Sequence, residues 1–160
     1  MTDVVKQVVI HELIEDELTL EDKELLKAAK EATYRSYAPY SHFSVGAALR
    51  LDNGQIITGS NQENCAYPSG LCAERTAVFN ANANYPNNAV VSLCIAARDT
   101  RGNFTELPIT PCGSCRQVLV ETEHRYQKPI RIILYGTKGL YIIDSAQDML
   151  PVSFNASYLE

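Results

Sequence analysis

Gly70-Leu-Cys-Ala-Glu-Arg-Thr-Ala-Val-Phe79 puts a thiol, Cys72, two residues before a carboxylate, Glu74, at the head of an apolar, alanine-bearing run. The spacing predicts a helix over about 72–83. Forty residues further on, Pro111-Cys-Gly-Ser-Cys-Arg-Gln117 repeats the plan: a turn, then thiols, then a helix over about 113–124. Three Cys and one Glu at two helix starts are what a catalytic zinc site needs. The rest of the chain then has to hold those two helix ends together.

Working outward, Thr19 can cap a first helix, with Glu21, Asp22 and Glu24 near the positive end of its dipole. Leu20, Leu25, Leu26, Ala29 and Ala32 follow at helical spacing, and Pro39 stops the run, so this helix is expected over roughly 20–37. Val45 to Leu51 and Gln55 to Ser60 read as a hairpin with a two-residue turn at Asn53-Gly54, where both residues tolerate positive φ. Val90 to Ala97 is β-branched and nearly all apolar, which predicts a buried central strand. Ile130 to Tyr135 and Leu140 to Ile143 are further strands, 145–150 is a short helix, and the tail from Pro151 is irregular. Residues 1–18 alternate weakly and then turn acidic, which reads as an extended segment or a short strand. This order predicts an α/β fold, a mixed sheet with helices on its faces. Ligands of such sheets collect at strand ends and helix N-termini, where the three thiols and Glu74 are expected.

Composition narrows the chemistry. The chain has 160 residues, 46% of them hydrophobic, enough for one domain with its own core. Net charge is −5 and the 14 Lys and Arg are scattered, which argues against nucleic acid or an anionic membrane as a partner. No apolar run approaches the roughly 20 residues of a membrane span, and the acidic N-terminus does not read as a signal peptide, so the cytoplasm is the expected compartment. Five cysteines in such a chain point to metal binding or a reactive thiol more than to disulfides.

A thiol must lose its proton to bind zinc, and helix N-termini favour that loss. The C-x-x-C spacing of Cys112 and Cys115 lets two sulfurs reach one ion, and three sulfurs leave a fourth tetrahedral position for water. Glu74 is then a nearby carboxylate free to move protons. Ordinary roles stand beside these: a lone C-x-x-C also serves redox or structural zinc, and a lone Cys72 also serves as a small core residue. A closed structural site would want a fourth ligand. Cys94, inside an apolar strand, reads as a core thiol, whereas Cys65 is not excluded by spacing. Asn61 and Glu63, two apart at a strand end, would point the same way and could hydrogen-bond vicinal hydroxyls of a sugar; a solvated polar loop is the ordinary alternative. Arg116 reads as a surface salt-bridging residue, and His11, His42 and His124 as surface or cap residues.

Cys72-Ala-Glu74 with Pro111-Cys112-x-x-Cys115 resembles the signature of the zinc-dependent cytidine deaminases. The likeness extends to Tyr40-Ser-x-Phe-x-Val-Gly-Ala-Ala-Leu49, Asn61-x-Glu-Asn64, Cys72-Ala-Glu-Arg-Thr-Ala77, Pro111-Cys-Gly-x-Cys-Arg-Gln-Val-Leu119 and Leu150-Pro-x-x-Phe154. Cys in place of His as the first ligand resembles the small, homotetrameric free-nucleoside enzymes. The resemblance implies a three-layer α/β/α fold with a mixed five-stranded sheet. It implies one catalytic domain over 18–160, with residues 1–17 as an extension that is either an extra strand or a disordered acidic lead.

It further implies one Zn²⁺ per chain held by Cys72, Cys112 and Cys115, with Glu74 as the proton shuttle and Arg75 hydrogen-bonding the cysteine sulfurs. Asn61 and Glu63 would hold the ribose, Phe43 would pack on the nucleoside, and Ala73 would offer backbone polar groups to the base. Tyr67 would line the pocket, and Phe154 would reach into a neighbouring subunit's site. The implied reaction is deamination of cytidine and 2′-deoxycytidine to uridine and 2′-deoxyuridine, as in pyrimidine salvage. A blasticidin-type cytosine nucleoside and a non-catalytic zinc-binding interaction module are the alternatives, and the free carboxylate of Glu74 argues against the second.

Overall fold

In the computed structural model, which describes residues 1–159, the apolar run around Leu93 lies at the centre of a six-stranded sheet. The strands are β1 (His11–Leu13), β2 (Ser44–Leu51), β3 (Ile56–Ser60), β4 (Val90–Arg98), β5 (Arg131–Gly136) and β6 (Gly139–Ile143). Their order across the sheet is β1-β6-β5-β4-β2-β3. Only β4 and β5 pair in parallel, and the connection between them carries α3 (Gly113–Tyr126). The other α-helices are α1 (Leu20–Ala32) and α2 (Ala73–Asn84).

Strand periodicity divides the core into two halves. On one face Ala48, Cys94, Ile133 and Ile142 pack with Leu25, Leu26 and Ala29 of α1. On the other Leu49, Leu93, Ile95, Ile132 and Leu134 pack with Ala77 and Val78 of α2 and Leu119 of α3. Covering both faces is why β4 and β5 are apolar without alternation. The predicted three layers are therefore present. Among the described residues no helix is long and apolar enough to cross a membrane.

Three sequence-based boundaries change. The sheet has six strands instead of five, because His11–Leu13 pairs antiparallel with β6, Leu13 opposite Leu140. The added strand covers the backbone edge that β6 would otherwise leave open. The hairpin between β2 and β3 turns through three residues instead of two. Leu51 N–H donates to Gln55 O at 2.9 Å, and Gly54 alone takes positive φ, at 87°. Asn53 instead turns its side chain to accept from Gln55 N–H at 3.1 Å.

The first helix also stops at Ala32, well short of Pro39, and continues only as a 3₁₀ turn over Thr33–Arg35. Two tertiary contacts end it. Arg98 of β4 donates to Thr33 Oγ1 at 3.0 Å and to the Thr33 carbonyl at 3.1 Å, taking up an acceptor at the helix end. Tyr37 then pairs with the loop after β3: its N–H donates to Asn61 O at 2.9 Å and its carbonyl accepts from Glu63 N–H at 2.8 Å. That pairing fixes the loop bearing Asn61 and Glu63.

Gly59 sets the position of α2. A Cβ built on it would lie 2.5 Å from the Ala73 carbonyl oxygen and closer still to the Ala77 backbone nitrogen. Only a bare Cα lets the first turn of α2 sit this low on β3. Gly59→Ala is therefore expected to cost about 1–3 kcal/mol through backbone displacement. Equilibrium urea unfolding measures this, and an unchanged midpoint would show that α2 can move away freely.

Candidate active site

The first turns of α2 and α3 bring the thiols together. Cys72 is the N-cap of α2 and Cys112 that of α3, and neither sulfur accepts from its own helix N–H groups, so both are free to face elsewhere. Cys115, on the first turn of α3, is fully buried. The three sulfurs all lie within 4.8 Å of one another, and Cys72 Sγ is 3.8 Å from Cys112 Sγ. Tetrahedral ligands at a metal–sulfur distance of about 2.3 Å stand about 3.8 Å apart, so the spacing fits a zinc ion and is far too long for a disulfide.

The electrostatics fit the same group. The hydrogen bond from Cys115 holds the Cys72 thiol far below its ordinary value, at about 5; burial opposes this, and Arg75 and Cys112 reinforce it. Cys115 is pushed the other way, as the donor in that hydrogen bond and by burial. The cluster thus favours a thiolate sharing a proton with its neighbour, a proton that a dication would displace. Arg75 Nη2 donates to Cys72 Sγ at 3.9 Å, the contact the resemblance implied.

Glu74 is 5% exposed. Burial, together with the negative charge on Cys72, raises its carboxyl above the usual carboxylate range. It lies outside the three-thiol cluster, so it stands beside the metal position without filling it. Cys65, exposed in the loop, and Cys94, whose thiol burial pushes up, are outside the cluster too. No histidine of the described residues joins it. His11 faces Asp144 at 3.4 Å, and His42 sits in the left-handed region at φ 54°.

Beside Cys72 opens a cavity of 440 Å³, within the usual range for small-molecule sites. Asn61, Glu63 and Tyr67 line it, as expected from the sequence, and so do Tyr40, Ser41 and Leu71. The expectation that Asn61 and Glu63 simply present free polar groups needs refinement. Asn61 Oδ1 accepts from Val45 N–H at 2.8 Å and its Nδ2 donates to Phe43 O at 2.9 Å. Glu63 accepts from the Ser41 hydroxyl, from Tyr40 N–H at 2.9 Å and from Ser41 N–H at 3.2 Å. The Ser41 hydroxyl holds its carboxyl below the ordinary value, so it stays ionised. Both side chains therefore build the 40–43 wall while lining the cavity. Ser41 was missed because its role depends on a contact 22 residues away, although it stands within a motif already noted.

Phe43 is half-buried, Ala73 fully buried, and neither lines the cavity. Phe154 is 59% exposed, stacks on Tyr158 with ring centroids 5.6 Å apart, and lies outside its own chain's cavity. Arg116 is corrected as well. It makes no surface salt bridge among the described residues; instead Nε donates to Pro111 O at 2.9 Å and Nη1 to Met149 O at 3.1 Å.

An open position among three thiols, with a buried acid outside their cluster, set at helix starts in an α/β/α domain, fits the class of metal-dependent hydrolases that activate water. The family follows from comparison with known proteins. The model of the cytidine and deoxycytidylate deaminase zinc-binding region matches residues 19–128, and the chain belongs to that family. It is 41% identical over 132 residues to a cytidine deaminase of Halalkalibacterium halodurans, covering 82% of this chain and 92% of that one. It is 42% identical over 99 residues to a cytidine deaminase of Sporosarcina psychrophila, 62% of this chain and 68% of the other. The crystal structure of cytidine deaminase from Burkholderia pseudomallei superposes with a TM-score of 0.71 at 36% identity, covering 86% of this chain and 100% of that chain. A cytidine deaminase structure from Mycobacterium tuberculosis gives 0.65 at 32% identity over 86% of this chain and 99% of that one.

Proposed function

We propose that the chain is a cytidine deaminase, converting cytidine and 2′-deoxycytidine with water to uridine and 2′-deoxyuridine and releasing ammonia. The observation that carries this reading is the meeting of three sulfurs within 4.8 Å, with Glu74 buried beside them, in a chain of the deaminase family. Cys72, Cys112 and Cys115 would hold one zinc per chain. When bound, zinc supplies a Lewis acid that brings the pKa of water down from about 15.7 to near neutrality.

The chain's own residues do the rest. Glu74 accepts the proton of the attacking water and passes it to ring N3 as oxygen bonds to C4. It then takes the remaining proton from the oxygen now on C4 and delivers it to the amino nitrogen as the C4–N bond breaks, so ammonia leaves and the carbonyl forms. Its burial keeps bulk water from competing for those transfers. Glu63 and Asn61 fix the 40–43 wall and offer their remaining lone pairs to the ribose hydroxyls, Tyr67 lines the cavity beside the base, and the family resemblance assigns Phe43 and the Ala73 backbone, outside the single chain's cavity, to contacts with the base. Arg75 offsets the net charge of three thiolates on a dication.

The reading also places residues 18–160 as one catalytic domain, with 1–17 as its extension; the family match starting at residue 19 supports this. It has the enzyme work in the cytoplasm as a homotetramer, with Phe154 closing a neighbour's site. Exposed Val152, Phe154, Tyr158 and Leu159 on one tail support a partner surface. Loss of cytidine ultraviolet absorbance, set against deoxycytidine, cytosine, cytidine monophosphate and blasticidin S, tests the assignment. Turnover confined to cytidine and deoxycytidine is expected. Turnover of blasticidin S alone, or of none, would defeat it. In the same assay Phe154→Ala should raise KM with zinc retained, and an unchanged KM would count against a shared pocket.

A further inference from the structure

Arg116 directly follows Cys115 and is partly buried, yet it pairs with no carboxylate among the described residues. Its guanidinium is spent on two backbone carbonyls that are far apart in sequence. Pro111, whose carbonyl receives Nε at 2.9 Å, is buried and immediately precedes Cys112. Met149, whose carbonyl receives Nη1 at 3.1 Å, ends the 3₁₀ turn Ala146–Met149 that leads into the C-terminal tail. Carbonyls turned away from water need such donors, and a planar fork can serve two at once.

Regular structure does little to hold the tail. Past Leu150 it forms only a 3₁₀ turn at Ala156–Tyr158. Side chains fasten it: Gln117 Nε2 donates to Phe154 O at 2.8 Å, and Gln147 Nε2 to Ser153 Oγ at 3.0 Å. The N-terminal segment covers the junction. Lys6 donates to the Pro151 carbonyl, and Val8 and Ile10 share with Arg116, Met149 and Pro151 the lining of a 290 Å³ cavity.

We propose that Arg116 is a positioning residue: its fork ties the turn that presents Cys112 to the 3₁₀ turn that leads into the C-terminal tail, beneath residues 6–10. The proposal rests on the metal reading of Cys72, Cys112 and Cys115. It goes beyond that reading, because it makes the geometry of a metal-bearing turn depend on a segment of chain more than thirty residues away.

Two measurements test it without turnover. One is competition for zinc against a chromophoric chelator. The other is amide hydrogen exchange across 111–113 and 150–158. In Arg116→Gln, zinc affinity should fall about 10–100-fold and exchange should rise in both segments. Arg116→Lys should restore neither, because one ammonium cannot span the two carbonyls. If the Gln variant fails to fold, the Lys variant reads the same two quantities. Unchanged affinity, unchanged tail exchange, or full rescue by Lys each overturns the tie. Zinc binding by the parent chain without cytidine turnover would defeat the proposed activity and leave this proposal standing.

Discussion

Glu74→Gln is expected to keep its zinc and lose deamination, with kcat falling by about 10²–10⁴-fold, the usual worth of a positioned acid–base group. The substitution keeps the shape of a side chain that is only 5% exposed, so packing at the start of α2 should survive. It removes the buried carboxyl that stands beside the thiols outside their cluster. An amide cannot take a proton from water and return it to the ring nitrogen and the leaving amine. Metal analysis and the ultraviolet assay on one preparation decide the matter. Turnover within a few fold of the parent would remove Glu74 from the chemistry.

Cys115→Ser should have an effect of similar size through a different step. Cys115 is fully buried and its sulfur lies within 4.8 Å of those of Cys72 and Cys112. A serine hydroxyl occupies similar space but does not ionise as a thiol does, so one of three zinc ligands is lost. The parent chain should carry about one zinc, and the Ser variant close to none after dialysis, with circular dichroism unchanged and deamination gone. Cys65→Ser, outside the cluster, should keep both metal and activity and is the matched control. Full zinc in the Cys115 variant, or none in freshly purified parent protein, would sink the metal site.

Much of the molecule was legible before its fold was known, for local reasons. Thr19 does cap α1, its side chain accepting from Asp22 N–H at 3.1 Å. The apolar run from Val90 is the central strand, and both thiol-bearing turns are N-caps of helices. Each of these depends on neighbours within a few residues, where periodicity and capping chemistry act. The failures share the opposite cause. No local pattern marks Ala32 as the end of α1, because Arg98 and the Tyr37 pairing with the 61–63 loop end it from outside. The count of five strands failed because the short strand read within residues 1–18 joins the sheet, His11–Leu13 taking the open edge of β6. The salt-bridge reading of Arg116 failed because its partners are carbonyls, which carry no side-chain signal.

The sequence by itself determined the chemical parts: which thiols, which carboxylate, which helix starts, and the alternation of strands and helices that makes a covered sheet. Tertiary structure alone decided how they act. Packing of α2 against bare Gly59 and of α3 over the parallel β4–β5 pair brings sulfurs forty residues apart to 3.8 Å. The same packing buries Glu74 and raises its proton affinity. Spacing along a chain specifies which groups can meet, whereas proton affinity depends on the charges and solvent around a group. Those surroundings exist only once the sheet has both its faces covered.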